Sequence, residues 1–143
     1  MTIYVVNPNS SQHVTDGIDK AIDPMRAASS VPIEARTLTQ GPPGIETQAH
    51  VDGVVAPLLE HCAAFENDAS AFVVACYSDP GLAALREQSA RPVIGIAEAS
   101  ILAVLGYSTY RAVRAYKSRS QFDGDVLTIL NQATSKSSTV VTA

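Results

Sequence analysis

Apolar positions along this chain follow two periods, and the switches between them mark its elements. Thr2–Val6 (Thr-Ile-Tyr-Val-Val) is short, β-branched and almost continuously apolar, as a strand covered on both faces would be. Asn7-Pro8-Asn9-Ser10-Ser11 stops it. Ser10 or Ser11 can cap the helix that follows, whose apolar positions Val14, Ile18, Ala21, Ile22 and Met25 recur at helical spacing. Pro32–Leu38 predicts a second strand, and Glu34 and Arg36 on alternate positions suit a sheet edge. Beyond the loop Gln40-Gly41-Pro42-Pro43-Gly44, the residues Val51, Val54, Val55, Leu58, Leu59, Cys62 and Ala63 trace one helical face. Pro57 should kink or split that helix. Ala71–Ala75 predicts a third strand and Pro80–Gln88 a third helix. Pro92–Ile96 predicts a fourth strand, followed by an Ala- and Leu-rich helix from Ala97 to about Leu105.

Strands alternating with helices over short connections predict an α/β fold: a single domain with a mainly parallel four-stranded sheet and helices on both faces. Ligands bind such sheets at the carboxyl ends of the strands. That directs attention to three loops, Asn7–Ser11, Gly41–Glu46 and Cys76–Asp79. Beyond Gly106 the pattern weakens. Arg111, Arg114 and Lys117 are spaced as a basic helical face or merely a solvated one. Asp123-Gly124 reads as a turn before the apolar patch Val126–Leu130, and the Ser/Thr-rich end from Ser135 is expected to be disordered.

Composition bounds the class. A chain of 143 residues with 46% apolar content and both charge signs is globular and long enough to bury a core. Its net charge of −4 argues against a nucleic-acid partner. The charge is uneven: residues 1–106 hold 5 Lys/Arg and 12 Asp/Glu, net −7, whereas residues 107–143 hold 5 and 2, net +3. The expected organisation is therefore an α/β domain over 1–106 and a basic, weakly structured extension over 107–143. No apolar run approaches the ~18 residues of a membrane span. The strand pattern begins at once, so no signal peptide is expected. Cys62 and Cys76 are then expected to be reduced thiols in a cytoplasm. His13, His50 and His61 are scattered, with no metal-ligand spacing.

The best chemistry lies in Val73-Val74-Ala75-Cys76-Tyr77-Ser78-Asp79-Pro80-Gly81. Asp79 as N-cap with Pro80 at the first helical position is a helix start signal. It would put Cys76 past a strand end and beside a helix N-terminus, where unpaired N–H groups and the dipole favour a thiolate. Competing readings stand beside this one. A free cysteine is commonly a core residue, and Cys62, on the face of Leu58 and Leu59, reads that way. Asp79 reads as a cap rather than an acid. Ser78 is either a substrate donor or a capping hydroxyl. Asn7 and Asn9 could simply shape the turn before the first helix, and the Gly-Pro-Pro-Gly loop could be only a connector.

Val6-Asn7-Pro8-Asn9-Ser10-Ser11, Gly41-Pro42-Pro43-Gly44-Ile45-Glu46 and Ala75-Cys76-Tyr77-Ser78-Asp79-Pro80-Gly81-Leu82 follow the first three strands in that order. With Pro92-Val93-Ile94-Gly95-Ile96-Ala97-Glu98-Ala99 they resemble the N-terminal half of the aspartate/glutamate/hydantoin racemase superfamily, and its hydantoin racemase branch most. The resemblance covers about residues 1–106 and implies one half of that superfamily's two-domain fold. It implies an isomerase that needs neither cofactor nor metal and moves a proton at a carbon next to a carbonyl, in an amino acid or hydantoin. Two cysteines act on opposite faces of the substrate, one as thiolate base and one as thiol acid. Cysteine's ordinary pKa of about 8.5 is close enough to neutrality for both roles. By resemblance, Cys76 matches the first catalytic cysteine, and Asn7, Pro8 and Asn9 the first substrate-contacting loop. Tyr77 and Ser78 match donors beside the thiol, and Gly44 the loop that closes over the pocket.

The family's second half supplies the second cysteine from an equivalent strand end. Here no cysteine follows Cys76, and Gly106-Tyr107-Ser108-Thr109-Tyr110-Arg111-Ala112 resembles the family's closing segment instead. Two readings stay open. One is a racemase acting on a small-molecule substrate, its site completed in a homo-oligomer by pairing two half-like chains. The other is a truncated, catalytically inactive α/β module that binds small carboxylates or ring imides.

Overall fold

The computed structural model describes residues 1–119. Four strands, β1 (Thr2–Asn7), β2 (Ile33–Thr37), β3 (Ala69–Val74) and β4 (Val93–Gly95), alternate with helices. The helices are α1 (Gln12–Ala28), α2 (Gln48–Gly53), α3 (Val55–Phe65), α4 (Leu82–Gln88) and α5 (Ile96–Arg119). The strands form one sheet in the order β2-β1-β3-β4, and every pairing is parallel. β2 therefore sits at an edge, as its charged alternate positions predict, and Glu34 and Arg36 pair with each other there.

Alternation along the strands separates two faces. Tyr4 and Val6 point to the same side as their partners Phe72 and Val74. With Leu38, Val54, Leu58, Cys62, Leu85 and Val93 they form the buried core, so α3 and α4 cover this face. Fully burying a Phe72, Leu58 or Leu85 side chain stabilises the fold by roughly 1.5–3 kcal/mol. Val5 and Asn7 point the other way, toward α1, whose Thr15 hydroxyl lies 2.5 Å from that of Thr37 on β2. The sheet thus carries helices on both faces, as expected.

Several local expectations are corrected. On α1, Val14 and Met25 are exposed, and so is Ala21. The stripe that meets the sheet is Thr15, Ile18, Ile22 and Arg26, whose Nε donates to the Ile33 carbonyl at 2.9 Å. Facing an edge strand, this helix uses polar groups to satisfy β2 rather than an apolar stripe alone. The helix expected to kink or split at Pro57 is split, as two helices parted at Gly53–Val54, so the break precedes the proline. Pro57 falls in the first turn of α3, where its missing N–H costs nothing. An unbroken helix would have set its ring against the Gly53 carbonyl, four residues back. Thr47 caps α2, its Oγ1 accepting the His50 N–H at 3.2 Å.

α5 does not stop near Leu105 but continues through Gly106 to Arg119. A lone helical glycine costs only about 1 kcal/mol, and no proline follows it here. The sheet and its helices belong to a compact unit, Met1–Ile101, and a second unit begins at Leu102. Within the second, the Arg111 guanidinium lies 6.0 Å over the Tyr107 ring. The expected Asp123-Gly124 turn, the Val126–Leu130 strand and the Ser/Thr-rich end fall outside the described residues.

Candidate active site

β1 and β3 are neighbours, but the chain leaves β1 toward one edge of the sheet and leaves β3 toward the other. The order of strands therefore reverses between them. In open α/β sheets this is where the loops diverge to opposite faces and ligands bind. The loops after β1 and β3 flank this point.

The first loop is organised by Asn7, which is 1% exposed. Its Nδ2 donates to Asn9 Oδ1 (2.9 Å), the Ser11 carbonyl (3.2 Å) and Thr15 Oγ1 (3.0 Å). Its Oδ1 accepts the Asn9 N–H at 3.3 Å, and Asn9 Oδ1 accepts the Ser11 N–H at 2.9 Å. Ser11 occupies the N-cap position of α1 without a side-chain cap bond. The side chains of Asn7 and Pro8 are both fully buried, and that of Asn7 holds the loop. Asn9 remains half-buried beside them. The second loop is fastened to the first, since the Ser10 N–H donates to the Pro42 carbonyl at 2.9 Å. Gly41 must lack a side chain, because a Cβ there would collide with the Pro8 carbonyl oxygen. Gly44, further along, lies beside the Glu46 side chain. Among the described residues no hydrogen bond joins its stretch to the third loop.

The third loop carries Cys76. Val74 pairs with Val6, and the Ala75 N–H donates to the Val6 carbonyl at 2.8 Å, so the ladder ends immediately before the cysteine. Cys76 is half-buried, and its Sγ lies 3.2 Å from Ser78 Oγ. Tyr77 is 76% exposed and Ser78 is exposed, so both present polar groups to solvent at the same rim. Cys62 is elsewhere. It packs in the core on α3, and burial, with Glu66 adding, pushes its thiol up to about 12.

Asp79 does not cap α4. The N-cap is Gly81, in the left-handed conformation at φ 66°, and the helix begins at Leu82. Proline followed by a positive-φ glycine makes a tight turn, closed by the Leu82 N–H on the Asp79 carbonyl at 3.3 Å. Pro80 is thus a turn residue, and α4 starts six residues after Cys76 rather than four. The polar neighbour of Cys76 is the Ser78 hydroxyl. The Asp79 carboxylate instead reaches α5, where Oδ1 accepts the Ala97 N–H at 3.2 Å and Oδ2 the Glu98 N–H at 2.9 Å. Sequence reasoning missed this partner. Its signal was Gly95, a glycine in a β-branched run, which marks close approach of another group. A Cβ at Gly95 would fall within the Asp79 carboxyl.

The arrangement offers a half-buried thiol with a hydroxyl beside it at the carboxyl end of the sheet. Such a set can take or give a proton at a bound carbon acid. Among the described residues no three His, Cys, Asp or Glu side chains converge as a metal ion requires, and no helix is long and apolar enough to cross a membrane.

The family model for the Asp/Glu/Hydantoin racemase matches residues 3–115. A hydantoin racemase of Paenarthrobacter aurescens is 39% identical over 103 residues, 71% of this chain and 43% of that protein. A hydantoin racemase of Pseudomonas sp. (strain NS671) is 38% identical over 105 residues, 71% of this chain and 41% of that protein. Among solved structures, the allantoin racemase from Klebsiella pneumoniae superposes with a TM-score of 0.60 at 35% identity, over 69% of this chain and 40% of that one. The chain spans about two fifths of the length of these relatives. It belongs to the Asp/Glu/hydantoin racemase family.

Proposed function

We propose that this chain provides one half of a racemase site, in which Cys76 exchanges a proton with a carbon next to a carbonyl. The observation that carries the reading is the position of its thiol. Cys76 is half-buried at the carboxyl end of β3, at the sheet's switch point and against Ser78 Oγ. The relatives' names, hydantoin racemase and allantoin racemase, point to cyclic ureides derived from amino acids as the substrate class. In the step assigned to Cys76, its thiolate takes the α-hydrogen as a proton. The C–H bond breaks, an S–H bond forms, and the electron pair passes into the adjacent carbonyl as an enolate. Ser78, the Tyr77 hydroxyl, Asn9 and the loop amides, with Gly44 closing from the second loop, are the donors assigned to that developing charge. Return of a proton to the opposite face requires a second thiol. Cys62, buried on α3, is not that thiol. A homodimer that brings a second Cys76 to the far face supplies it, and no cofactor enters the scheme.

The test is incorporation of solvent deuterium at the α-carbon of a panel of 5-substituted hydantoins and acidic amino acids. Exchange that is lost in Cys76→Ser supports the reading; no exchange in any substrate refutes it. For the shared site, wild-type and Cys76→Ala chains are mixed. Racemisation that departs from simple proportion to the wild-type fraction is expected, and strict proportion refutes sharing. A second reading has its own support, because the only other cysteine of the chain is locked in the core. On that reading the chain binds the same small molecules without turning them over, and saturable binding with no deuterium uptake would establish it.

A further inference from the structure

The segment from Cys76 to Leu82 consists of two successive turns that share one residue, Asp79. The Asp79 N–H closes the first on the Cys76 carbonyl at 2.9 Å, and its carbonyl closes the second by accepting the Leu82 N–H. At the junction Asp79 has φ 42°, the one positive value among the described non-glycine residues. That conformation is strained and persists only where its surroundings over-determine it. Here the surroundings are the first turn of α5. Both carboxylate oxygens accept backbone N–H groups there, from Ala97 and Glu98, which are otherwise unpaired donors at a helix start. That helix start is itself fixed. Glu98 takes a two-point contact from Arg86 of α4, at 3.0 and 3.1 Å, and Arg86 Nε donates to the Val93 carbonyl at 3.1 Å. The carboxylate occupies the space above Gly95 that any Cβ would fill.

We propose that Asp79 is the positioning residue for Cys76: its carboxylate, clamped on the first-turn amides of α5 above Gly95, holds the double turn that presents the thiol. The strained backbone then places Cys76 and Ser78, and the β4–α5 junction, which contributes no group to the chemistry, sets the geometry of the thiol. The proposal deepens the reading of Cys76 as the acting thiol and rests on it for its functional meaning. Its structural content can be tested without any turnover. A one-residue loop cap that merely stabilised the fold would loosen the whole core when removed; a positioning residue loosens the Cys76 loop alone.

The experiment is alkylation of the full chain by iodoacetamide under native conditions, with Cys76 and Cys62 followed separately by mass spectrometry. Losing the clamp is expected to raise the Cys76 rate about fivefold, the factor a lost helix cap places on local opening, in both Asp79→Ala and Asp79→Gly. The Asp79→Gly result is the discriminating one, because glycine relieves the backbone strain while still lacking the carboxylate. Asp79→Asn tolerates the left-handed conformation but keeps only one of the two acceptors and turns an NH2 on the other N–H, so its rate should rise above wild type without exceeding that of Asp79→Gly. Gly95→Ala, by displacing the carboxylate, should reproduce Asp79→Gly. The double variant Asp79→Gly/Gly95→Ala should add nothing further, since the group that clashes is gone. Cys62 stays protected throughout. An unchanged Cys76 rate in Asp79→Gly overturns the proposal. So do additive effects in the double variant, or Cys62 becoming reactive in step with Cys76. If the wild-type chain exchanges no substrate hydrogen, the racemase reading fails, and the alkylation series still decides the clamp.

Discussion

Asn7 offers the sharpest test of how this site is held together, because two substitutions there should differ in a way that only its hydrogen bonds explain. The residue is 1% exposed, and its amide takes part in four hydrogen bonds with Asn9, Ser11 and Thr15. Asn7→Ala removes all of them. The short pair, at 2.9 and 3.0 Å, should each be worth about 1 kcal/mol net, and the two longer ones together about as much as one. The expected loss is therefore ~2–3 kcal/mol, which lowers a urea midpoint by ~1–2 M at ordinary slopes. Asn7→Asp keeps the shape but replaces a donor with an acceptor. The Ser11 carbonyl and Asn9 Oδ1 would then face a carboxylate oxygen, and only the Thr15 hydroxyl can turn to donate. This should cost a further ~1–3 kcal/mol at neutral pH. The introduced carboxyl is held above its ordinary pKa in the folded state, so the folded chain binds more protons than the unfolded one. Its deficit is complete above the raised value and shrinks as pH falls through it. Urea melts followed by circular dichroism at pH 7 and pH 5 read both effects. The reasoning fails if Asn7→Ala stays within ~0.5 kcal/mol of wild type or if Asn7→Asp matches Asn7→Ala at pH 7. An Asn7 that served only to contact substrate would give both patterns, with stability intact in each variant.

Other expectations follow from single residues. Burial holds the Cys62 thiol at about 12, so it should react with alkylating reagents only when the core opens, and its labelling rate should track global unfolding through a urea series. Labelling in native buffer at the rate of a free thiol would count against the core assignment. His61 is held below the ordinary 6.5, first by burial and then by the nearby Arg36 charge. The unfolded chain then binds the proton more tightly, so stability is fully present above about pH 6.5 and declines as pH falls below it. Replacing it by Phe should flatten that part of the stability–pH curve, and an unchanged slope would refute the assignment. Gly41→Ala should cost on the order of 1–3 kcal/mol, because its Cβ would meet the backbone carbonyl of Pro8. Gly17→Ala, in open space inside α1, should instead stabilise by ~0.5–1 kcal/mol, and thermal melts of the pair read the contrast.

The sheet was legible in the sequence because its signals are local. The β-branched runs in β1 and β3 and the proline and glycine punctuation after them depend on neighbours a few residues away. The edge position of β2 was visible too, since Glu34 and Arg36 are intolerable on a strand buried on both faces. What failed was whatever depended on a distant partner. Val14 and Met25 fit a helical stripe as well as Thr15 and Arg26 do, until the β2 groups Thr37 and Ile33 O select the polar pair. Asn7 shows the same dependence: its composition suits a loop donor, and only the structure reveals that its amide is a buried hub for Asn9, Ser11 and Thr15.

Asp79 shows the same limit from the other side, and it bears on how much function a half-site retains. Asp-Pro-Gly before a helical run is a good cap signal, and the sequence holds nothing nearby to contradict it. The carboxylate nonetheless serves a helix that starts at Ile96, and the glycine that admits it lies sixteen positions downstream, at Gly95. Among the described residues, the thiol loop is therefore fastened by elements within Met1–Ile101: β1 through the Ala75 ladder bond, β4 through Gly95, and the first turn of α5. None of these contacts calls on a second domain. A chain that spans two fifths of its relatives can thus still present Cys76 in a defined geometry. On the proposed racemase reading, what it needs from elsewhere is a proton donor on the far face of the substrate, not support for its own loop. One-sided hydrogen exchange at a carbon acid should accordingly survive in the isolated monomer, while inversion of the stereocentre should depend on association.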